Sequence, residues 1–343
     1  MPVRVAVNGF GRIGRNFLRA LLERQHKEGT DVELVAVNDI VPLAANAHLL
    51  QYDSTHGRLA ETVEISDKGL RVEGHEIVVT SETDPKSLPW GELGIDVVVD
   101  STGRFTSRSA AMAHVEAGAR RVVISAPAKD ADATFVVGVN DSEFDPASHV
   151  VVSNASCTTN CLVPMVKVVE DAFGLRQGLM TTVHAYTNDQ ELLDLGRDNL
   201  RRARAAAVNI VPSSTGAARA TSLVLAEMAG RLDGTALRVP VVDGSITDLT
   251  AVVGRSVSVD EVNAAFKEAS ERGPLAPVLE YNEAPIVSSD IVGSPASCTF
   301  DATLTMAIPI DDASTLVKVM GWYDNEWGYS HRLVDLAGIV GRA

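Results

Sequence analysis

Cys157 is the residue with the clearest potential for chemistry, and it lies in the string SNASCTTN at residues 153–160. A short apolar run, His149 to Val152, precedes it and predicts a strand, and a helix is predicted from about Cys157 to Ala172. Free backbone N–H groups and the dipole at a helix N-terminus favour negative charge. We therefore expect the pKa of the Cys157 thiol to be lowered toward neutrality, which makes a thiolate nucleophile available.

Two further residues bear on this thiol. Cys161 lies four residues along the same predicted helix and is interpreted as a core residue. No metal site is expected, because no paired C-x-x-C or histidine spacing accompanies the two cysteines. Taken alone, Cys157 fits either a core thiol or a nucleophile. His184, in TTVHAYTND, is likewise either a satisfied core histidine or the base that serves Cys157.

The chain opens with a second chemical signature, the G-x-G-x-x-G string Gly9-Phe10-Gly11-Arg12-Ile13-Gly14. A strand is predicted before it and a helix after it, which is typical of dinucleotide binding, with the pyrophosphate at the helix N-terminus. Asp39 ends the next strand, where a carboxylate binds ribose hydroxyls and favours NAD over NADP. The alternative is a glycine-rich turn. A thiolate together with a nicotinamide indicates oxidation of an aldehyde through a thioester.

Hydroxyl groups, a glycine N–H and a guanidinium are suited to phosphate oxygens. Each candidate taken singly also fits a turn residue or a surface charge. The candidates are Ser156, Thr187, Thr215 with Gly216, and Arg238. The basic run NLRRARAAA fits a solvated helix face better than a nucleic-acid contact.

Composition limits the class of protein. The 343 residues carry a net charge of −15, which argues against general nucleic-acid binding. No apolar run approaches a membrane span, and MPVRVAVNGF lacks the layout of a signal peptide. The three cysteines are sparse and odd in number, so we expect a reducing cytoplasm and no disulfide framework.

Elements are expected to position these residues in two domains. Over 1–156, apolar strands alternate with helices, which predicts an α/β NAD-binding domain with a Rossmann-like, doubly wound, mainly parallel sheet. The predicted elements are strands Val3–Asn8, Val32–Asn38, Val97–Ser101, Arg121–Ser125, Phe135–Val139 and Val150–Val152, strand-rich turns over Glu61–Thr80, and helices Ile13–Gln25 and Ser107–Ala117.

Over 157–324, long strands with few helices predict an α+β catalytic domain with a mostly antiparallel sheet. Ser258 and Glu261 form an S-x-x-E capping box before a helix. The C-terminal helix, within 325–343, is expected to pack back on the first domain. The predicted strands are Leu179–Tyr186, Ala236–Val241, Thr247–Val253, Cys298–Ile308 and Leu316–Tyr323.

Together these strings resemble phosphorylating glyceraldehyde-3-phosphate dehydrogenases of the bacterial, NAD-linked type, over essentially the whole chain. The similar strings are NGFGRIGR (8–15), AVND (36–39), STGRFT (101–106), ISAPAKD (124–130), SNASCTTN (153–160), HAYTNDQ (184–190), LRRARAAA (200–207), STGAA (214–218) and WYDNEWGYS (322–330).

The resemblance implies a role for each site residue. Cys157 is the implied nucleophile and His184 its base. The implied ligands of the substrate's phosphate are Thr187, Asp189 and Arg238, and those of inorganic phosphate are Ser156, Thr158, Arg202, Thr215 and Gly216. The implied NAD contacts are Gly9, Phe10, Gly11, Arg12, Ile13, Asn38, Asp39, Thr102, Ser125, Asn325 and Tyr329, with Asn325 on the nicotinamide amide.

The implied reaction is glycolytic oxidation of glyceraldehyde 3-phosphate to 1,3-bisphosphoglycerate through a Cys157 hemithioacetal and thioester. The Cys157 backbone N–H and the His184 imidazole are the implied donors to the oxyanion. Family members are homotetramers, and the segment from about Thr187 to Val211 resembles the loop that reaches toward a neighbour's cofactor.

Some residues depart from the family pattern near the cofactor and anion pockets. Gly196 stands where an NAD-specific proline is usual, which weakens the expectation of strict NAD use. The other departures are Glu191 for arginine, Thr83 for arginine near adenine, and Ser213 and Ser214 for threonines. This clustering is the basis of a hypothesis that the chain is a second isozyme, tuned for another cofactor balance or tolerant of thiol-directed inhibitors.

Two alternatives remain at this point. Erythrose-4-phosphate dehydrogenase shares the fold, but its thioester is hydrolysed by water, and the retained Thr187 and Thr215-Gly216 favour the phosphorylating enzyme. A non-catalytic nucleotide-sensing protein is the other alternative, and the intact set of Cys157, His184 and Arg238 argues against it.

Overall fold

The computed structural model describes residues 2–343, which form two compact units. Unit 1 contains the residues up to Phe135, then Asp141–Ala155 and Ser330–Ala343. Unit 2 contains Val136–Asn140 and Ser156–Tyr329. Within the described part of the chain, no helix has the length and apolar character needed to cross a membrane.

Unit 1 is built on one large sheet whose strand order is β10-β11-β9-β8-β1-β2-β7-β6-β5. Its strands are β1 Val3–Asn8, β2 Val32–Asn38, β5 Val63–Ser66, β6 Gly69–Val72, β7 His75–Thr80, β8 Val97–Asp100, β9 Arg121–Ile124, β10 Ala133–Thr134 and β11 Val151–Ser153, and a separate short pair is β3 Tyr52–Asp53 with β4 Gly57–Arg58. The helices are α1 Arg12–Lys27, α2 Leu43–Gln51 and α3 Arg108–Glu116.

Every pairing from β10 to β7 is parallel, and only β7-β6-β5 is antiparallel. The central strand β1 has Val5, Ala6 and Val7 at 0% exposure, so both of its faces are covered. The predicted mainly parallel, doubly wound sheet is confirmed. In parallel strands all carboxyl ends meet at one edge, and that edge is where such sheets bind ligands.

Unit 2 is built on a second sheet of order β13-β14-β12-β15-β19-β17-β16, with β18 also paired to β19. Its strands are β12 Leu175–Ala185, β13 Val211–Ser214, β14 Leu232–Val239, β15 Ser245–Val253, β16 Leu279–Asn282, β17 Cys298–Asp301, β18 Met306–Asp311 and β19 Ser314–Tyr323. The helices are α4 Cys157–Phe173, α5 Ala217–Ala220, α6 Val259–Glu271 and α7 Ser288–Ile291. The last helix, α8 Trp327–Arg342, belongs to unit 1 from Ser330 onward. The pairings of the unit 2 sheet are antiparallel except β12-β14 and β16-β17, which confirms the predicted mostly antiparallel sheet.

Helix α4 supplies the buried core of unit 2. Its apolar face, including Leu162 and Met165, packs in one cluster with Leu249 and Val319 of the sheet, and all four side chains are fully buried. Gly174 ends the helix with φ +69, a left-handed conformation that favours glycine. The helix is therefore fixed by burial along its length, and its first residue, Cys157, has a defined position.

Two predicted strands are wrong. Phe135–Val139 is not a strand: β10 ends at Thr134, and a turn follows in which the Val139 N–H donates to the Val136 carbonyl at 3.0 Å. Gly138 in that turn has φ +86 and lies against the Pro274 carbonyl, where a Cβ would come within 2.7 Å. Glycine is required there, and its conformation ends the extended backbone.

The predicted strand Cys298–Ile308 is interrupted. β17 ends at Asp301, a 3₁₀ turn covers Ala302–Leu304, and β18 begins at Met306. Asp301 accepts hydrogen bonds from the Thr303 N–H at 3.1 Å and the Thr303 hydroxyl at 2.6 Å. A carboxylate that bonds the backbone two residues on forms a turn rather than a ladder. The sequence analysis also missed α2, and the basic run at 200–207 forms turns where a solvated helix face had been considered.

Candidate active site

Cys157 is the first residue of α4. Ala155 has φ +55, which turns the chain sharply after β11, and Ser156 then caps the helix by accepting the Thr159 N–H at 3.0 Å. The Thr158 N–H hydrogen-bonds the Cys157 sulfur. The thiol therefore sits among the donor groups of a helix N-terminus, as the sequence predicts.

His184 lies directly beside this thiol. Its Nε2 is 3.4 Å from the Cys157 Sγ, and its Nδ1 is 2.6 Å from the Ala185 carbonyl oxygen. A second neighbour of Nδ1 is the Arg238 Nη1 at 3.2 Å, which can only donate, but the carbonyl, which can only accept, is closer by 0.6 Å. We therefore assign the hydrogen to Nδ1, and the Nε2 lone pair faces the sulfur. This tautomer leaves the imidazole able to accept the thiol proton. Of the two readings left open by the sequence, the geometry favours a base for His184 and a nucleophile for Cys157.

The expected lowering of the thiol pKa is wrong for this structure. Burial raises the pKa of the Cys157 thiol to about 11, although the Arg238 guanidinium and the Thr158 N–H oppose that rise. Burial and the positive charge of Arg238 lower the pKa of His184 to about 4. Both shifts favour the neutral thiol and imidazole over the ion pair, because removal from water outweighs the favourable helix terminus.

Arg238 is placed next to this pair by strand register. The parallel pairing of β12 with β14 sets Arg238 beside His184. The Arg238 Nη1 lies 3.2 Å from the Ala185 carbonyl and 2.8 Å from the Thr187 hydroxyl. Thr187 in turn donates to Asp189, and Asp189 pairs with Arg202. The structure thus joins Arg238, Thr187, Asp189 and Arg202 in one chain of contacts.

Two guanidinium N–H groups in this chain of contacts can donate a hydrogen bond to a ligand. The Nε atoms of Arg202 and Arg238 are buried and have no hydrogen-bond acceptor among residues 2–343. A buried charged donor without an acceptor is costly. Each of the two donors therefore suits an anion, and phosphate has the geometry that guanidinium groups favour.

The remaining predicted anion ligands differ in their freedom to bind. The Thr158 hydroxyl bonds the Tyr323 hydroxyl at 2.8 Å, which also contacts Thr182 at 2.7 Å. Thr215 accepts the Ala217 N–H at 3.2 Å and, with Gly216, precedes the short helix α5. β13 is antiparallel to β14 with Val211 opposite Arg238, so Thr215 lies four residues along, roughly 13 Å from Arg238 at strand spacing. Thr215 and Gly216 therefore lie apart from the Arg238 backbone.

Unit 1 contains a cavity of about 250 Å³ at the carboxyl edge of its parallel strands. Five predicted cofactor residues line it, namely Gly9, Gly11, Asn38, Asp39 and Thr102. Phe10, Arg12, Ile13 and Ser125 are not among its lining residues. Glu82 and Arg104 line it as well and were not predicted.

A different structural reason explains the glycine at each of the three positions of the signature. Gly9 has φ +91, and a Cβ there would lie 2.8 Å from the Thr102 nitrogen. A Cβ on Gly14 would lie 2.2 Å from the Gly9 carbonyl oxygen, so Gly14 permits the close packing of helix and turn. A Cβ on Gly11 meets nothing within 4 Å, so it would project into open space at the N-terminus of α1. That space fits a pyrophosphate.

Two charged residues near this cavity are already held by the protein. Asp39 accepts the Phe10 N–H at 2.5 Å and the Val41 N–H at 2.8 Å. Arg12 pairs with Asp53, for which burial would raise the pKa, but the His56 N–H and Arg12 outweigh burial and hold that pKa at about 2. Asp39 is thus fixed in position as an acceptor, whereas Arg12 is engaged by a carboxylate.

Asn325 is the predicted nicotinamide ligand in unit 2, and it is 5% exposed. Its Oδ1 accepts the Ser245 hydroxyl at 2.7 Å, and the Ser245 Oγ accepts the Ala185 N–H at 3.0 Å. The Asn325 amide oxygen is thus held by a hydrogen bond within unit 2. Tyr329, also predicted, is 5% exposed and lies in α8.

Sequence reasoning missed a buried polar network below the unit 1 cavity. The Asn8 Nδ2 donates to Asp100 at 2.8 Å, and the Asn38 Nδ2 donates to Asn8 at 2.8 Å. The Trp90 Nε1 donates to the His114 Nδ1 at 3.0 Å, and the His114 Nε2 donates to Asp100 at 3.1 Å. Asn38 was among the predicted NAD contacts, whereas Asn8 and Asp100 were not. Each of the three is the last residue of a parallel strand, which is the signal that could have identified the other two.

Comparison with known proteins adds an independent finding. Residues 3–108 match the family model described as glyceraldehyde 3-phosphate dehydrogenase, NAD binding domain, and residues 156–325 match the C-terminal domain of the same family. The chain is 57% identical over 341 residues to a glyceraldehyde-3-phosphate dehydrogenase of Streptomyces coelicolor, covering 99% of each chain. It is 54% identical over 340 residues to that of Geobacillus stearothermophilus, covering 99% of this chain and 98% of the relative. It is 55% identical over 345 residues to that of Mycobacterium avium, covering all of each chain.

Proposed function

Because the chain belongs to the glyceraldehyde-3-phosphate dehydrogenase family, we propose that Cys157 and His184 are the reacting groups of its activity. That activity is the NAD-dependent oxidation of glyceraldehyde 3-phosphate, a step of glycolysis. The observation that carries the proposal is the 3.4 Å contact of Cys157 Sγ with His184 Nε2. Neither residue alone supports it, since a half-buried thiol or a buried histidine has ordinary structural roles.

The neutral pair defines the first step. As sulfur bonds the aldehyde carbon, the thiol proton passes to the His184 Nε2, because Nδ1 already donates to Ala185. The product is a hemithioacetal whose oxygen the protonated Nε2 and the Cys157 backbone N–H stabilise. Loss of hydride from carbon then leaves a thioester on Cys157. NAD, when bound, supplies the acceptor for that hydride.

The residues around the unit 1 cavity would hold NAD. Open space at Gly11 admits the pyrophosphate, and the fixed Asp39 carboxylate accepts hydrogen bonds from ribose hydroxyls. Asn325 would donate its amide N–H to the nicotinamide carboxamide. Arg12, paired with Asp53, shapes the helix terminus rather than supplying a free charge.

We assign two phosphate groups to the anion ligands of unit 2. Arg238 and Thr187 bind the phosphate of the substrate, and the buried Nε of Arg238 supplies a donor. Asp189 is an acceptor, so it orients Thr187 and Arg202 and does not touch the anion. Ser156, Thr158, Thr215 and Gly216, with Arg202, surround inorganic phosphate. Its attack on the thioester gives 1,3-bisphosphoglycerate and frees Cys157.

The test is phosphate-dependent formation of NADH by the native chain, by Cys157→Ser and by Cys298→Ser. Cys298 is a fully buried thiol of the core and serves as the control. We expect activity with glyceraldehyde 3-phosphate in the native chain and Cys298→Ser, and loss in Cys157→Ser with unchanged thermal unfolding. Equal turnover of erythrose 4-phosphate without phosphate would contradict the proposal and favour the erythrose-4-phosphate enzyme.

We also propose that the protein forms a homotetramer in the cytoplasm. The segment after Asp189 exposes Leu192, Leu193 and Leu200 by 76% or more, which is unusual for large apolar side chains and typical of a surface covered by another chain. All three cysteines are free, as in a reducing compartment. Sedimentation of the native chain should give a tetramer, and Leu193→Asp should shift it toward smaller species. A native monomer at assay concentration would contradict this assembly.

A further inference from the structure

The Ser245 hydroxyl lies between two residues of the proposed site. Ser245 begins β15, is fully buried, and stands opposite Tyr323 in antiparallel register. Its Oγ accepts the Ala185 N–H at 3.0 Å, and its hydroxyl donates to the Asn325 Oδ1 at 2.7 Å. Ala185 follows His184 on β12, and the Ala185 carbonyl accepts the His184 Nδ1–H at 2.6 Å. A single side chain therefore joins the strand that carries the base to the proposed ligand of nicotinamide.

The hydrogen bonds of Ser245 determine which end of the Asn325 amide faces it. A backbone N–H can only donate, so the Ser245 Oγ is an acceptor for Ala185 and its own hydrogen needs a separate acceptor. Among residues 2–343, the Asn325 Oδ1 is the acceptor that this hydrogen reaches. If the amide were reversed, its NH2 group would face Oγ and the buried hydroxyl would lack an acceptor, which is costly. We therefore assign Oδ1 to the side facing Ser245, with Nδ2 turned away.

The backbone that carries Asn325 is held by the residue before it. The Asp324 Oδ1 accepts the Glu326 N–H at 2.9 Å and the Trp327 N–H at 2.6 Å. These two bonds span Asn325 and fix the chain where α8 begins. With the backbone held, what remains to be set is the orientation of the side-chain amide. In the described part of the chain, the hydrogen bond from Ser245 is the contact that sets it.

The orientation of this amide decides what a ligand must offer. An amide nitrogen can only donate, so it needs an acceptor on the ligand. A nicotinamide carboxamide carries one carbonyl acceptor and one NH2 donor. We propose that Ser245 is a positioning residue whose hydroxyl fixes the Asn325 amide, so that Nδ2 is presented to the carboxamide carbonyl of NAD. The identity of the ligand rests on the proposed function, whereas the orientation of the amide does not.

The test measures the binding of three ligands to the native chain, to Ser245→Ala and to a matched control, Thr247→Val. Thr247 lies two residues along β15 and is also fully buried, but its hydroxyl has no hydrogen-bond partner among residues 2–343. The ligands are NAD, its acetylpyridine analogue, and ADP-ribose. The analogue keeps the carbonyl but has a methyl group in place of NH2, and ADP-ribose lacks the nicotinamide ring. Calorimetry gives the dissociation constants without turnover.

Without the hydroxyl, the Asn325 amide in Ser245→Ala must be ordered when the ligand binds. The dissociation constant of NAD should therefore rise by about two- to tenfold, the cost of immobilising one side chain. A reversed amide can still accept from the NH2 group of NAD, but it offers nothing to the analogue. The ratio of the analogue's dissociation constant to that of NAD should thus rise at least about twofold, since roughly half of the amides are reversed. ADP-ribose should bind Ser245→Ala as it binds the native chain, and Thr247→Val should bind all three ligands as the native chain does.

A double-variant cycle separates this role from a merely structural one. In an Asn325→Ala background, Ser245→Ala should change none of the three constants, because the hydroxyl acts through the Asn325 amide. An unchanged ratio of the two dinucleotide constants in Ser245→Ala, or an effect of Ser245→Ala that persists without the Asn325 side chain, overturns the inference.

The same proteins distinguish this inference from the proposed function. The expected binding pattern in a native chain that does not oxidise glyceraldehyde 3-phosphate would refute the proposed function and leave the role of Ser245 standing. Oxidation by the native chain, with an unchanged ratio in Ser245→Ala, would refute the role of Ser245 alone.

Discussion

At the nucleophile, two local effects on the thiol oppose each other. The start of α4 and the Arg238 guanidinium favour a thiolate, while burial beside Tyr323 and His184 favours the neutral thiol. Burial is the larger effect in this structure, so sulfur becomes a nucleophile only as its proton moves to His184. The base is therefore needed for the attack itself, and its loss should be visible before any oxidation occurs.

His184→Asn tests that requirement. We expect kcat to fall by about 10²–10⁴, the usual contribution of a positioned base. Alkylation of Cys157 by iodoacetamide should slow as well, since no neighbouring group accepts the thiol proton. The measurements are steady-state NADH formation and the pseudo-first-order rate of alkylation at pH 7.

His75→Asn is the control for this variant, because His75 is exposed on β7. It should leave both rates unchanged. An alkylation rate in His184→Asn equal to that of the native chain would show that the sulfur is ionised without its neighbour, contrary to the raised pKa of Cys157.

Two glycines of the signature, Gly11 and Gly14, allow binding and folding to be separated. In Gly11→Ala the added methyl group meets no protein atom within 4 Å, so the stability should fall only by the roughly 1 kcal/mol that alanine costs as an N-cap of α1. The affinity for NAD should fall as well, because the methyl occupies the space assigned to the pyrophosphate. In Gly14→Ala the methyl would lie 2.2 Å from the Gly9 carbonyl, so the protein should lose about 1–3 kcal/mol of stability. Titration with NAD and thermal melts measure the two effects, and full NAD affinity in Gly11→Ala would contradict the assigned pocket.

The beginning of α4 has two roles at the scale of the element. Ser156 caps the helix through the Thr159 N–H, and its hydroxyl is also a proposed phosphate ligand. Glycine is nearly as good an N-cap as serine, whereas alanine costs about 1 kcal/mol. Ser156→Gly and Ser156→Ala therefore both lack the hydroxyl but differ in capping.

We expect both Ser156 variants to raise KM for inorganic phosphate to a similar extent, and only Ser156→Ala to lower the free energy of unfolding by about 1 kcal/mol. Phosphate titration of NADH formation and urea unfolding measure these effects. A change in KM that follows the loss of stability, large in Ala and small in Gly, would mean that Ser156 acts only as a cap.

Local signals predicted elements well where the interaction that ends an element is itself local. The capping box is an example: Ser258 accepts the Glu261 N–H at 3.2 Å and Glu261 accepts the Ser258 N–H at 2.8 Å. The break after Asp301 was missed although Asp301 and Thr303 are close in sequence, because the apolar pattern continues through it. The need for glycine at position 138 comes from its close approach to Pro274. These residues are far apart in the sequence, so no local pattern predicts their contact.

The same distinction applies to the site. Cys157 could be predicted because a strand, a turn and a helix start are all visible around it. The contact of His184 with Arg238 depends on the register of β12 with β14, and these strands are separated by more than forty residues in the sequence. The sequence alone therefore did not decide whether His184 is a core residue or a base. The family resemblance implied the role of a base for His184. The direction of the pKa shifts of Cys157 and His184 could not be predicted, because it depends on burial, which only the fold determines.

At the scale of the whole chain, folding removes His184 and His331 from water and sets them beside arginines. His184 and His331 are each 4% exposed, and burial together with nearby arginines lowers their pKa values to about 4 and about 3 from 6.5. Below pH 6.5 the unfolded chain binds a proton on each histidine and the folded chain does not. Stability is therefore complete above 6.5 and lost as pH falls toward 4, by about 2 kcal/mol per histidine at pH 5.

Asp243 changes the pH dependence of stability in the opposite direction. Because its pKa is raised, the folded chain keeps a proton on Asp243 above about pH 4, whereas the unfolded chain has released it. Between pH 5 and 6.5 the two histidines together change the free energy of unfolding more than Asp243 does. The native chain should therefore lose stability on acidification, as measured by urea unfolding. His331→Gln removes one of the two histidines and should reduce the slope by up to about 1.4 kcal/mol per pH unit, whereas the exposed His75→Gln should not alter it. Because a mere loss of packing at His331 lowers stability equally at every pH, only a change in slope supports a buried neutral imidazole, and parallel curves for His331→Gln and the native chain would contradict it.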